Sequence, residues 1–282
     1  MIIGICGAGT MGRGIAIAAL QAGHSVVLFD IAEDALPKAV SYVSAQMDKA
    51  VERNKMSAEA AATAKTAISS STDLAALAPC ELVIEAVAER LDIKHALLLQ
   101  LEALVAPDAI LASNTSSISI AALASPLQYP ERCVGLHFFN PAHIMKLVEV
   151  IRGPQTSDAV VQTCVDLAKQ LGKTPAVAKD VPGFIVNRVA RNYYNEAQRI
   201  VMEGAADVGQ VDKLMKGLGF KMGPFELMDL IGVDTNLDVT KSQWEQFFFE
   251  PRFAPSLLQQ QTVDAGHHGK KSGRGFYDHT GD

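Results

Sequence analysis

The sequence predicts an α/β protein: a doubly wound, mostly parallel sheet that carries one antiparallel hairpin, followed by an all-α domain. Three observations carry this. Short apolar runs alternate with helix-period stretches as far as Ala178, a glycine-rich turn directly follows the first run, and beyond Pro182-Gly183 every strong pattern is helical. A chain of 282 residues exceeds one typical domain, so a boundary is expected there, giving domains 1–181 and 182–282.

The first strand, Ile2-Ile3-Gly4-Ile5-Cys6, runs into Gly7-Ala8-Gly9-Thr10-Met11-Gly12, and residues 13–22 have helical apolar spacing. In such a turn Gly7 permits the tight bend, Gly9 lets the backbone approach a pyrophosphate, and Gly12 lets the helix close on the strand. The positive end of the helix dipole then faces the phosphates. A second strand, Ser25-Val26-Val27-Leu28-Phe29, ends in Asp30, 18 residues beyond Gly12. A carboxylate there accepts hydrogen bonds from an adenosine ribose and repels a 2′-phosphate. Ile31 and Ala32 offer no arginine to hold one, so the expected cofactor is NAD rather than NADP. Asp30 is also placed to cap a helix starting near Glu33. Strand, glycine turn, helix and strand together make the first domain Rossmann-like.

A long helical stretch covers 33–55, with Pro37 tolerable near its start, and Ser57 is placed to cap a second helix reaching about Ala67. Strands follow at 68–71, 82–86, 110–113 and 134–139, with a helix at 91–105 between the second and third. Only the six residues Asn140-Pro141-Ala142-His143-Ile144-Met145 separate the strand at 134–139 from another at 146–151. That is too few for a crossover helix, so the pair is expected to be an antiparallel hairpin. A helix at 158–171 and a strand at 175–178 close the domain. The second domain is expected to hold helices at 184–202, 208–216 (with Gly219 past its end), 224–231, 234–247 and 256–265.

Composition is that of an ordinary globular protein, with 49% apolar and 20% charged residues. A net charge of −6 argues against a general nucleic-acid binder. Cys6, Cys80, Cys133 and Cys164 are widely spaced, which suits reduced, buried thiols and no metal site. The longest uncharged stretch, 109–130, is interrupted by serines, Asn114 and Thr115, so no membrane span is expected. A first strand beginning at residue 2 leaves no room for a leader, and cytoplasmic residence is expected. Hydrophobes in 184–202 and 220–233 suffice to cover each other and a second subunit, so a homodimer is expected.

Within the hairpin, strands pairing about a turn centred on residue 143 place His137 opposite Glu149. A carboxylate beside an imidazole fixes its tautomer and suits a general base; a structural cross-strand pair would need the same spacing. Ser113-Asn114-Thr115-Ser116-Ser117 lies at the carboxyl end of a strand, where doubly wound sheets hold ligands. At least one of these residues is expected to cap the helix that follows.

Several strings together resemble the 3-hydroxyacyl-CoA dehydrogenases. They are Gly7-Ala8-Gly9-Thr10-Met11-Gly12, Ser113-Asn114-Thr115-Ser116-Ser117, His137-Phe138-Phe139-Asn140-Pro141 and Met145-Lys146-Leu147-Val148-Glu149-Val150 in the first domain. Pro182-Gly183-Phe184-Ile185-Val186-Asn187-Arg188, Met222-Gly223-Pro224-Phe225-Glu226 and Gly269-Lys270-Lys271-Ser272-Gly273 extend the resemblance over almost the whole chain. It implies NAD-linked oxidation of the 3-hydroxyl of an acyl-CoA, or the reverse, on short chains. It also implies that His137 is the base and Glu149 its orienting acid, and that Ser116 and Asn187 serve substrate binding and catalysis, so that the site draws on both domains. Glu89, Lys94, Asn114, Asn140 and Lys271 match cofactor-contacting positions, and for each a cap, turn or solvated-charge role is the alternative. Lys49 and Arg53, near Lys55, resemble CoA-contacting positions, although the interleaved Asp48 and Glu52 suit a solvated face equally. His143 stands where similar sequences have proline and is expected to be an exposed turn residue. His24, His95, His267, His268 and His279 show no persuasive partner and are expected to be surface or structural.

Two other functions fit parts of this pattern. A dehydrogenase of a small free hydroxy acid would need no CoA-binding cations, and inhibition by free CoA separates it. A non-catalytic cofactor-binding protein on the same scaffold would need none of Ser116, His137, Glu149 and Asn187.

Overall fold

The computed structural model describes residues 1–281, and the chain divides into two compact units, Met1–Phe184 and Ile185–Asp282. The first unit runs β1 (Ile2–Cys6), α1 (Thr10–Gln21), β2 (Ser25–Phe29), α2 (Ala35–Glu52), α3 (Ala58–Thr66) and β3 (Ile68–Ser71). It continues with β4 (Leu82–Glu85), α4 (Leu91–Leu104), β5 (Ile110–Ser113), α5 (Ile120–Ala124), β6 (Cys133–Phe138), β7 (Leu147–Arg152), α6 (Asp158–Gln170) and β8 (Thr174–Lys179).

These strands form one eight-stranded sheet, ordered β3-β2-β1-β4-β5-β6-β7-β8, parallel throughout except for the β6–β7 hairpin. Helices cover both faces, which is why the central strands are apolar runs and not alternating ones. Ile5, Ile15, Leu28, Met47, Leu136 and Val150 belong to the core under α1, α2 and α6. Val83, Leu98, Leu101, Leu111 and Leu123 belong to the core under α4 and α5. The strand order reverses between β1 and β4, and in such sheets the crevice beyond the strand ends at that point is where ligands bind.

Several element ends differ from the sequence reading by one to three residues, and three of them have a clear local reason. α2 starts at Ala35 behind Asp34, because Asp30 turns its carboxylate to the amides of Ala8 and Ala32 and caps no helix. It stops at Glu52 because Asn54 takes φ +53°. The first helix of the second unit starts at Val186, because Phe184 adopts φ +47° and packs into the core under α4 and α5. Ser57 caps α3 as expected, its hydroxyl accepting from Ala60 N at 3.1 Å.

The second unit contains α7 (Val186–Met202), α8 (Val208–Gly217), α9 (Pro224–Ile231), α10 (Val233–Gln246) and α11 (Leu257–Asp264). Two buried acids tie its ends together. Asp212 accepts from Phe225 N, Glu226 N and the Tyr277 hydroxyl, while Asp229 accepts from Phe276 N and Tyr277 N. His279, which the sequence left without a partner, lies 2.9 Å from Asp229. Among the described residues no helix is long and apolar enough to cross a membrane.

Candidate active site

The glycine turn leaves β1 through Gly7 at φ +108°, where an added Cβ would lie 2.5 Å from Ala86 O. At Gly12 an added Cβ would lie 1.7 Å from Gly7 O, so α1 closes on the strand only because that atom is missing. Gly9 has nothing within 4 Å of the Cβ position and caps α1 without any side-chain hydrogen bond. Its approach is open, and the first-turn amides of α1, starting at Thr10 and Met11, have no side chain competing for them. The Ala8 amide is not among these donors, because Asp30 Oδ2 accepts it at 2.7 Å. Gly7, Gly9, Asp30, Ile31, Val87 and Leu97 help line a cleft of about 580 Å³. Open backbone, a helix dipole and a carboxylate at the end of β2 fit a dinucleotide.

Beside this turn, at the ends of β4 and β5, lies a polar network that sequence reasoning resolved only in part. Glu85, in an otherwise apolar strand, is 0% exposed. Its Oε1 accepts from Lys94 Nζ at 2.6 Å and Val87 N at 2.8 Å, and its Oε2 from Ser113 Oγ at 2.6 Å. Lys94 is 1% exposed and also lies 3.0 Å from Glu89. Its ammonium is enclosed between the two carboxylates, at the ligand edge of the sheet where the expected cofactor contact would lie. Glu89 Oε1 accepts from Thr115 Oγ1 at 2.6 Å, Ser116 N at 2.9 Å and Ser117 Oγ at 3.0 Å. Burial pushes the Glu89 carboxyl upward, but the Lys94 charge and the Thr115 and Ser116 donors outweigh it and hold the group below the usual carboxylate range. The cap of α5 falls one turn later than expected. Ser119 accepts from Ala122 N, and Asp180 accepts from Ile120 N and Ala121 N. The serine-rich string is thus held from the Glu89 side.

The hairpin aligns His137 with Glu149 in register. His137 Nδ1 lies 2.8 Å from Glu149 Oε2, with His137 buried and Glu149 fully enclosed. An ionised carboxylate only accepts, so against one the neutral imidazole has its hydrogen on Nδ1 and its lone pair on Nε2. The Phe139 ring lies 4.4 Å and the Phe184 ring 5.8 Å from the imidazole, centroid to centroid. Asn114 Oδ1 accepts from Phe138 N at 2.9 Å, tying the end of β5 to the hairpin, while Asn140 is exposed where the loop begins. Because β1, β4, β5 and β6 are parallel, the glycine turn, the Glu89 loop and His137 share one edge of the sheet.

His143 is half-buried, not exposed, and its Nδ1 is enclosed without a partner. Burial, aided by the nearby Lys173 charge, holds its pKa below the ordinary histidine value. The reason is Lys173, which the sequence did not single out. It donates to Ala142 O at 2.7 Å and Met145 O at 2.9 Å and draws the loop inward. Of the other expected residues, Lys49 and Arg53 are exposed at the end of α2, and Asp48 pairs with Lys65 instead. Asn187 is the second residue of α7, half-buried, and Lys271 pairs with Asp234 at 2.7 Å. Glu85 was legible as a lone acid in an apolar strand, whereas Lys173 and Asp180 carry no local signal.

Residues 2–181 match the model of the 3-hydroxyacyl-CoA dehydrogenase NAD binding domain, and residues 183–279 match that of the 3-hydroxyacyl-CoA dehydrogenase C-terminal domain. The chain is 48% identical to a 3-hydroxyadipyl-CoA dehydrogenase of Escherichia coli over 98% of its own length, and it spans 58% of that longer relative. It is 43% identical to a probable 3-hydroxybutyryl-CoA dehydrogenase of Deinococcus radiodurans, covering 98% of this chain and 99% of the other. A solved (S)-3-hydroxybutyryl-CoA dehydrogenase from Ralstonia eutropha superposes with a TM-score of 0.95 at 42% identity, covering 98% of both chains. With both domain models matched in order, and the paired His137 and Glu149 at the same sheet edge as the glycine turn, the chain belongs to the 3-hydroxyacyl-CoA dehydrogenase family.

Proposed function

We propose that this protein is an NAD-dependent dehydrogenase that interconverts (S)-3-hydroxyacyl-CoA and 3-oxoacyl-CoA, acting on short chains such as 3-hydroxybutyryl-CoA and acetoacetyl-CoA. The observation that carries the reading is the enclosed His137–Glu149 pair, 2.8 Å apart at the ligand edge of the sheet. In the oxidation, His137 Nε2 takes the proton of the 3-hydroxyl as the C3–H bond breaks and the C3–O bond becomes a carbonyl. Glu149 holds the ring through Nδ1 and steadies the imidazolium that forms. NAD held at the glycine turn would supply the acceptor for the hydride that leaves C3. In the reverse direction protonated His137 returns the proton to the developing alkoxide, so no full negative charge accumulates on oxygen.

Ser116 and Asn187 are assigned to that oxygen as hydrogen-bond donors. Gly9, Thr10, Met11 and Asp30 are assigned to the pyrophosphate and ribose, with Glu89, Lys94, Asn114, Asn140 and Lys271 on the cofactor side. Lys49 and Arg53, exposed and without ion pairs among the described residues, are assigned to the CoA phosphates. The functional domains are 1–181 and 182–282, the active unit is a homodimer, and four buried free thiols suit cytoplasmic residence.

The test is NADH oxidation driven by acetoacetyl-CoA. His137→Ala is expected to lower the rate by about 10²–10⁴, the usual contribution of a positioned base, while NADH still binds. Turnover by the variant at the native rate would remove His137 from its role.

A further inference from the structure

The polar network at the ends of β4 and β5 holds more negative charge than it neutralises. Glu85 is fully buried, and its three partners, the Lys94 ammonium, the Val87 amide and the Ser113 hydroxyl, all serve as donors to it. Ser113 Oγ accepts from Thr115 N at 3.2 Å, which leaves its hydrogen for Glu85. That arrangement suits an ionised carboxylate. Glu89, the second acid on Lys94, is ionised as well, its carboxyl held below the usual range. One ammonium therefore faces two carboxylates, and the cluster keeps one unit of negative charge. Its neighbours do not cancel it. Arg90 is paired with Asp92, and Cys6, opposite Glu85 on β1, stays neutral because burial, and after it Glu85, pushes its thiol up. Unequal charges taken out of water are costly unless an opposite charge meets them.

The cluster lies where such a charge is due. A doubly wound sheet lays a dinucleotide across the point where strand order reverses, with one nucleoside on each side. Asp30, at the end of β2, marks the adenosine side, so the nicotinamide side is that of β4 and β5. Glu85 ends β4, and its register partner Ser113 ends β5. The backbone between the two acids, Ala86, Val87 and Ala88, lines the same cleft as Gly7, Gly9 and Asp30. The nicotinamide ring is a cation when oxidised and neutral when reduced, and the rest of the cofactor is the same in both forms. A fixed negative charge on that side therefore distinguishes the two.

We propose that the Glu85–Lys94–Glu89 cluster favours oxidised NAD over NADH, with Glu85 supplying the uncompensated charge from beneath the site as a positioning residue that touches no ligand. This rests on the dehydrogenase reading above and adds a preference of redox state to it. On the enzyme, the same charge favours the side of the reaction that holds oxidised NAD and the 3-hydroxyacyl thioester.

The experiment measures dissociation constants of NAD and NADH for the full chain without acyl-CoA, at one pH and ionic strength. NADH is followed by its fluorescence, and NAD by displacing it. The readout is the ratio of the two constants, because a site that merely loosens weakens both forms alike. Glu85→Gln, neutral and nearly isosteric, is expected to weaken NAD relative to NADH by about 3–10-fold, the effect of one unit of charge across a partly wet site. Glu85→Asp keeps the charge and is expected to keep the ratio, even where both forms bind less tightly. A ratio that Glu85→Gln leaves unchanged overturns the proposal, and so does one that Glu85→Asp moves as far. Should Glu85→Gln not fold, Glu89→Gln, at a side chain 37% exposed, reads the same ratio, and no shift there is equally fatal. A native chain that reduces acetoacetyl-CoA while its variants fail these tests loses this inference alone. A native chain that binds neither NAD nor NADH sinks the dehydrogenase reading with it.

Discussion

Glu89 gathers a lysine, a threonine hydroxyl and backbone amides onto one carboxylate, and its ionisation is therefore coupled to the order of the serine-rich loop. Its folded pKa lies below the ordinary value of about 4.3, burial being outweighed by Lys94 and the donors. A depressed acid contributes stability that is complete above its unfolded pKa and is lost as pH falls through the folded one. The urea midpoint is thus expected to fall between about pH 5 and about pH 3, and to fall less steeply in Glu89→Gln, whose amide does not titrate there. Equal slopes for the two proteins would show that Glu89 is not among the groups that drive the change. At this scale residue identity was legible and depth was not. Lys94 reads as a cofactor-contacting position by resemblance or else a solvated charge, and only the packing of α4 on the sheet encloses it between Glu85 and Glu89.

Among the elements, the glycine turn and the hairpin were the most legible, because both obey local rules. Strand side chains alternate with period two, so a one-residue slip would point His137 away from Glu149, and the loop length alone sets their pairing. Helix ends were less legible. The stop of α2 at Asn54 and the start of α7 after Phe184 depend on positive-φ residues that are not themselves glycines. The glycine turn supplies a direct test. Gly12→Ala sets a Cβ against backbone that cannot move aside, so a loss of about 1–3 kcal/mol or more is expected, with NADH binding lost. Gly9→Ala meets nothing within 4 Å, so its thermal midpoint should stay near native while NADH binding weakens. Two variants with indistinguishable melting curves would refute this division of labour.

For the whole molecule, the second unit exposes apolar surface beyond what its own core covers. Ile185, Val189 and Phe220 are exposed and line a groove of about 770 Å³ together with Tyr193, Met222 and Leu227. Contiguous apolar surface of this kind marks an association face, and the proposed homodimer rests on it. Sedimentation at micromolar concentration is expected to give about twice the 30.1 kDa of one chain, with Val189→Glu shifting it toward the monomer. A single-chain mass at tens of micromolar would rule the dimer out. The sequence by itself determined the alternation of strands and helices, the glycine turn and the facing of His137 and Glu149, because each follows from periodicity or spacing along a short stretch. Only the tertiary structure decided which charges lie deep. The enclosure of Lys94 between two acids, the grip of Lys173 on the hairpin loop and the burial of Arg191 against Asn236 and Thr240 all arise where elements distant in sequence pack together and exclude water.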